Sequence, residues 1–494
     1  MLNLENSLYY GDNLDILRKY ISDNSVDLIY LDPPFNSKAN YNILYKEPSG
    51  EFSDAQITAF EDTWHWAEKA ETAFKEIMDS APAKVVDMMR SFRSFIGNND
   101  MMAYLTMMCI RLVELSRVLK DTGSIYLHCD PTASHYLKIL MDAIFDKSNF
   151  RNEIVWHYRK WPSGNKQFQH NHDCLLFYSK SESKDRVFNK VDLMERSEST
   201  LKRFGKHKII SGHDEDGKRL PSQIEDEESA GVPRDDVWDM GRIPPIKQLY
   251  PTQKPEQLLS RIIRASSNEG NIILDPFCGC GTAVMAAQEL NRKWIGIDIT
   301  HLAINIIKLR LKGMFDSEPK KDYKVIGEPE DLTSAIELAN QNRYQFQWWA
   351  TSLINARPYG DKKKGKDTGI DGFVYFGDKE GNKNLEFKKG IVSVKSGRVF
   401  PKDIRELGHV LDRENAEIGI FITLQEPTRD MVTEAVSKGF YRSQILGKDY
   451  PRIQILTIEE LLKGIKPQIP YQISTFKKAS PNKAEQLDLV DSEE

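Results

Sequence analysis

The sequence predicts an α/β protein with an open Rossmann-like sheet, followed by a second, smaller α/β domain. Three observations predict it. The run Val26-Asp27-Leu28-Ile29-Tyr30-Leu31 has the composition of a buried parallel strand and closes on Asp32-Pro33-Pro34-Phe35. Residues 271–282 read as strand, glycine loop and helix start, an order that lets backbone approach a ligand closely. The length, 494 residues, exceeds what one hydrophobic core usually supports.

Taken in order, Gly11-Asp12-Asn13-Leu14 leads into a helix over 14–20, with Asp12 or Asn13 as its cap. At Asp32-Pro33-Pro34-Phe35 the prolines fix the backbone and remove two donors, so nearby carbonyls are left to accept hydrogen bonds. An acid, free carbonyls and an aromatic ring then meet at a strand's carboxyl end. That set suits holding a planar amino group while a ring stacks on the base carrying it; the plainer reading is a strand-to-loop turn. Residues 36–41 form a polar loop able to close over a site. The aromatics of 60–66 either line a pocket or form a satellite cluster.

Leu105, Met108, Leu112, Leu115 and Leu119 recur at helical spacing, Gly123 stops that helix, and 124–128 is the next strand. His128 and Asp130 read as a strand-end pair rather than an acid–base couple. Strands at 154–156 and 175–178 form a hairpin around a loop carrying Arg159, Lys160, Asn165 and Gln167, types that meet phosphates and base edges. Periodicity fades over 181–240, where Lys202, Arg203, Lys206, His207 and Lys208 cluster. Such a run is a solvated face or a recognition insert, and its place between two halves of a sheet favours the insert, closed by Val237-Trp238. Tyr250-Pro251-Thr252-Gln253-Lys254-Pro255 opens a helix over 256–266. The glycine loop precedes a helix over 283–290, and the strand 294–297 ends on Asp298. Asp298 follows Asp275 at close to the roughly 20-residue spacing at which an acid meets a ribose in dinucleotide folds. The loop lacks the Walker lysine and the full glycine fingerprint, which disfavours a phosphate cradle. A ribose without a phosphate suits S-adenosylmethionine.

Hydrophobic content of 40% and charged content of 29% are those of a soluble globular protein. A net charge of −5 decides nothing about nucleic acid, which answers to local surface. No stretch is long and apolar enough to span a bilayer, and the polar start is no signal peptide. The five cysteines form no ligand pattern; Cys278-Gly279-Cys280 reads as small residues in a tight loop. A cytoplasmic protein with no membrane partner is expected.

In this order, Gly11-Asp12-Asn13-Leu14, Asp32-Pro33-Pro34-Phe35, Pro251-Thr252-Gln253-Lys254-Pro255, Asp275-Pro276-Phe277-Cys278-Gly279-Cys280-Gly281-Thr282 and Asp298 resemble the motifs of β-class amino-group DNA methyltransferases. The resemblance covers residues 1–315, with a target-recognition insert within 157–245. It implies a Rossmann-like S-adenosylmethionine-dependent methyltransferase sheet acting on double-stranded DNA. The cofactor would be held by Asp12, Lys254, Asp275, Pro276, Phe277, Cys278, Gly279, Gly281, Thr282 and Asp298. Asp32, Pro33, Pro34 and Phe35 would be catalytic, acting on a base flipped out of the duplex. Asp32 and the Pro33 carbonyl would accept the amino hydrogens and Phe35 would stack on the ring. No covalent intermediate is needed. The lack of a Pro-Cys nucleophile argues against cytosine C5, and Asp before the prolines favours adenine N6 over cytosine N4 by family habit. RNA as substrate is disfavoured by the large insert.

Residues 316–333 read as a linker, and 334–354 as one helix carrying Trp348 and Trp349. Lysines at 362, 363, 364 and 366 lead to Gly369-Ile370-Asp371-Gly372 and strands over 373–376 and 391–395. This part, 334–470, resembles the Mrr-like branch of the PD-(D/E)xK nuclease core. The resemblance implies Asp371 as a Mg²⁺ ligand, Lys395 as the residue that orients or deprotonates water, and Glu337 as the helix acid. Ser393 stands where a carboxylate or amide is expected, and a hydroxyl is a poor ligand for a hard cation. Glu386 lies too early to replace it. Two readings stay open: an active endonuclease in a bifunctional restriction–modification enzyme, or a nuclease fold that only binds DNA. A homodimer and a separate restriction subunit also stay open. Residues 471–494 read as a disordered tail.

Overall fold

The computed structural model describes residues 5–34, 66–160, 166, 168–194, 198–210, 218, 223–229, 231–244, 253–359, 369–378 and 386–470. Phe35, the loop 36–41, the aromatics of 60–65, Asn165, Gln167, Pro251, Thr252, the lysines of 362–366 and the tail 471–494 lie outside these residues. The described residues form two compact units, one from 12–34 and 66–297, the other from 5–11 and 298–470.

The first strand, β1 (Ser7–Tyr10), belongs to the second unit. The first unit starts with α1 (Asn13–Tyr20), capped by Asp12, whose carboxylate accepts the Leu14 N–H at 2.8 Å. β2 (Val26–Leu31) follows, with Leu28, Ile29 and Leu31 wholly buried. Helices α2 (Glu68–Ser80), α3 (Ala83–Ile96) and α4 (Asp100–Val118) come next. α4 ends at Val118 and β3 (Leu119–Cys129) begins at once, so Gly123 is a strand residue and not a helix stop. A Cβ there would lie 2.6 Å from Leu119 Cδ1 and 2.9 Å from the Asp27 carbonyl oxygen. The glycine is needed for close approach, beside a register shift where β2 and β3 pair.

After α5 (Ser134–Phe145), β4 (Phe150–His157) and β5 (His172–Ser179) pair antiparallel as expected. The segment that follows carries structure of its own: α6 (Glu198–Phe204) and an antiparallel pair, β6 (His207–Ile210) and β7 (Gln223–Glu228). It returns through β8 (Val237–Asp239), parallel to β4, with Trp238 buried and Val237 exposed. Then come α7 (Glu256–Ser266), β9 (Ile272–Asp275), α8 (Thr282–Glu289) and β10 (Lys293–Asp298). Within this unit the strand order is β10-β9-β2-β3-β5-β4-β8. β10, β9, β2 and β3 are parallel, and β2 and β9 are neighbours, Ile29 opposite Leu274. Asp32 and Asp275 therefore sit at the carboxyl ends of adjacent strands, where open α/β sheets bind ligands.

In the second unit, Thr300 caps α9 (His301–Phe315), and β11 (Lys324–Ile326) runs parallel to β1. The segment read as one helix over 334–354 is two, α10 (Leu332–Gln341) and α11 (Arg343–Ser352). Asn342, extended at φ −156°, breaks the chain and caps the second helix by accepting from Tyr344 N and Gln345 N. β12 (Arg357–Pro358), β13 (Gly372–Asp378), β14 (Glu386–Lys395), α12 (Pro401–Glu414), β15 (Ile418–Thr423), α13 (Arg429–Ser437), the pair β16 (Phe440–Arg442) and β17 (Asp449–Pro451), β18 (Ile453–Thr457) and α14 (Ile458–Leu462) complete it. The main sheet runs β12-β13-β14-β15-β18, antiparallel up to β14 and parallel after it. Phe346, Trp349, Val392 and Val394 pack on one face, and Ile391, Leu407, Phe421 and Met431 on the other.

Candidate active site

Asp32 leaves the end of β2 with its carboxylate ion-paired to Lys254 through Oδ2 and Nζ, both side chains more than four-fifths buried. Lys254 stands just before Pro255, which caps α7. The resemblance placed Lys254 among cofactor ligands; its contact here is with Asp32. An ammonium thus meets the oxygen to which the resemblance assigns an amino group.

A second cluster ties the Gly11–Leu14 motif to the glycine loop. Asn13 Nδ2 donates to the Pro276 carbonyl at 2.8 Å. Arg111, from α4, donates through Nε to Asn13 Oδ1 at 2.6 Å and through Nη2 to both Asp12 oxygens at 2.9 Å. Burial pulls the Arg111 guanidinium down, and the Asp12 charge opposes that. In the loop, Asp275 accepts the Phe277 N–H at 3.1 Å, and Cys278 N donates to the Ile297 carbonyl at 3.0 Å. Gly279 (φ 49°) and Gly281 (φ 77°), on either side of Cys280, take the left-handed backbone that favours glycine ahead of α8. Cys278 and Cys280 are buried and outside any disulfide. Arg111 was missed in the sequence, although a cation inside an apolar helix was a signal.

A third network lies among the same strands. His128, wholly buried, meets the Tyr30 hydroxyl through Nδ1 at 3.0 Å and Asp173 through Nε2 at 3.2 Å. The Tyr158 hydroxyl donates to the other Asp173 oxygen at 2.9 Å. Burial alone would raise the Asp173 carboxyl, but the hydrogen bond and charge of His128, the Lys254 charge and Tyr158 outweigh it and bring it down to about 2. With Asp173 ionised, His128 Nε2 donates to it. Burial raises the Tyr30 hydroxyl, helped by the charges of Asp32, Asp275 and Asp173. Asp130, just beyond the strand end, accepts from Thr132 N and Ala133 N. Asp173 gave no signal in the sequence.

In the second unit, Asp298 Oδ1 accepts from Thr300 N at 2.9 Å and Thr300 Oγ1 at 2.8 Å, and the Asp298 carbonyl accepts the Gly11 N–H at 3.0 Å. Farther along, Asp371 Oδ2 accepts the Val394 N–H at 2.7 Å, while Ser393 is buried and Glu337 exposed. Among the described residues no three His, Cys, Asp or Glu side chains come together to hold a metal ion. Asp371 serves the backbone of β14, and this donor set does not fit Mg²⁺.

An acid followed by two prolines at one parallel strand end, beside a glycine loop at the next, defines an amino-group methylase. The family described as DNA methylase, of the N6/N4 type, matches residues 26–309, and the chain belongs to it. Residues 338–462 match the family described as restriction endonuclease, of the Mrr catalytic type. Among relatives, the Type II methyltransferase M.HpaI of Haemophilus parainfluenzae is 29% identical over 249 residues, 50% of this chain and 71% of that protein. The DNA adenine methyltransferase YhdJ of Escherichia coli (strain K12) is 26% identical over 322 residues, 64% of this chain and 86% of that protein. Among solved structures, the cytosine-N4-specific PvuII DNA methyltransferase is similar at 13% identity and a TM-score of 0.36, over 61% of this chain and 85% of that one. No helix among the described residues is long and apolar enough to cross a membrane.

Proposed function

We propose that the chain transfers a methyl group from S-adenosylmethionine to the N6 amino group of adenine in double-stranded DNA. The ion pair of Asp32 with Lys254 carries this reading: the oxygen offered to a base already accepts from a nitrogen that bears hydrogens. On base entry the amino group replaces Lys254 at Asp32. Asp32 and the Pro33 carbonyl then orient the nitrogen lone pair, Pro34 keeps the turn rigid, and Phe35 stacks on the ring. Asp32 also takes the proton the amino group loses. S-adenosylmethionine, when bound, supplies a methyl group on positively charged sulfur. The left-handed backbone at Gly279 and Gly281 suits close approach to such a cofactor; Asp12, Asp275, Pro276, Phe277, Cys278 and Thr282 would contact it, and Asp298 would accept from its ribose.

Adenine is favoured by the aspartate before the prolines and by the relative named for adenine. The methyltransferase part spans 1–315, with target recognition within 157–245; 316–333 joins it to a nuclease-like part over 334–470. Five buried cysteines outside any disulfide suit the reducing cytoplasm, where we place the chain. Asp32→Ala is expected to lower methyl transfer to unmodified DNA by at least about 100-fold while S-adenosylmethionine binding stays near the parent value. Radiolabelled transfer and calorimetry measure the two, and transfer that persists in the variant would falsify the assignment.

A further inference from the structure

Asp298 is fastened to the first turn of α9. Its carboxylate accepts from Thr300 N and Oγ1, and Thr300 Oγ1 in turn accepts the Ala303 N–H at 3.2 Å. That turn is held from α11. Gln345 Oε1 accepts the His301 N–H at 2.7 Å, with both residues buried. A helix cannot satisfy its own first N–H groups, so this side chain supplies an acceptor the helix lacks. Farther along α9, Asn305 Nδ2 donates to Thr351 Oγ1 at 3.3 Å and Lys308 Nζ to Ser352 Oγ at 3.1 Å. On its other side the His301 ring stacks on Tyr10, centroids 3.7 Å apart at 16°. The methylase match ends at 309, inside α9, and the endonuclease match, starting at 338, contains α11.

We infer that Gln345, supported by Thr351 and Ser352, is a positioning residue for Asp298: the nuclease-like part holds the donor-binding end of the methylase. This rests on the reading that Asp298 meets the cofactor ribose. Without the Gln345 acceptor a buried N–H goes unmet, and the first turn of α9 gains by opening toward water. Thr300 moves with that turn, and the Asp298 carboxylate loses the two donors that orient it.

The test uses the full chain. Gln345→Leu is expected to raise the S-adenosylmethionine dissociation constant and KM about tenfold, with kcat at saturating cofactor and KM for DNA unchanged. Gln345→Glu keeps an acceptor at the same place and is expected to restore cofactor affinity. Asp298→Asn is measured alongside. If Asp298→Asn weakens cofactor binding and a folded Gln345→Leu does not, the positioning role is overturned and the donor site stands. If Asp298→Asn has no effect, the donor-site reading falls, and the inference with it. Should Gln345→Leu fail to fold, Thr351→Val and Ser352→Ala take its place: weaker cofactor binding supports the inference, and unchanged binding overturns it.

Discussion

Asp173 shows how much of this site depends on partners distant in the chain. Its carboxyl is held at about 2, with His128 as the main opponent of burial. A carboxylate lower in the folded chain than its ordinary value of about 4 stabilises the fold fully above that value. The contribution is lost as pH falls from about 4 toward 2. Asp173→Asn, which cannot ionise, is expected to flatten the acid limb of stability over that window. Chemical denaturation at a series of pH values checks this, and an unchanged limb would show that the His128 contact carries no such linkage. Residues that announce themselves by local pattern, such as Asp32 and the glycine loop, were legible in the sequence. Asp173 was not, because only strand pairing brings it to His128, and Arg111 gave a signal in its helix but not the identity of its partner Asp12.

At the level of elements, the strands around the site were readable because each is an apolar run closed by a polar turn. Two elements were not. Gly123 looked like a helix terminator, since glycine serves both there and where strands crowd; only the Asp27 and Leu119 contacts tell the uses apart. The break at Asn342 was hidden inside a continuous helical composition. Gly123→Ala is expected to cost about 1–3 kcal/mol by overpacking, since the added methyl meets backbone as well as a side chain. β2 leads directly into Asp32, so activity should fall in the same variant. A melting temperature and methyl-transfer rate equal to the parent's would refute the close-approach account.

For the whole chain, the open question set by the sequence was whether the nuclease-like part cuts. Asp371 is engaged by the Val394 N–H, and Ser393 supplies only a hydroxyl. With unmethylated plasmid and Mg²⁺ or Mn²⁺, the full chain is therefore expected to leave DNA intact, as are Asp371→Ala and Lys395→Ala. Robust cutting by the parent, lost in both variants, would establish a working endonuclease instead. The return of β8 beside β4 has a consequence of another kind. The segment after Ser179 departs next to the start of β4, where Tyr178 lies opposite Phe150, and comes back where Val237 lies opposite Val155. Both ends are anchored on strands that flank β4 in one sheet, and the entropy of closing a loop rises only slowly with its length. A lineage can thus trade this segment for one of different size and sequence in a single recombination without rebuilding the sheet that carries it.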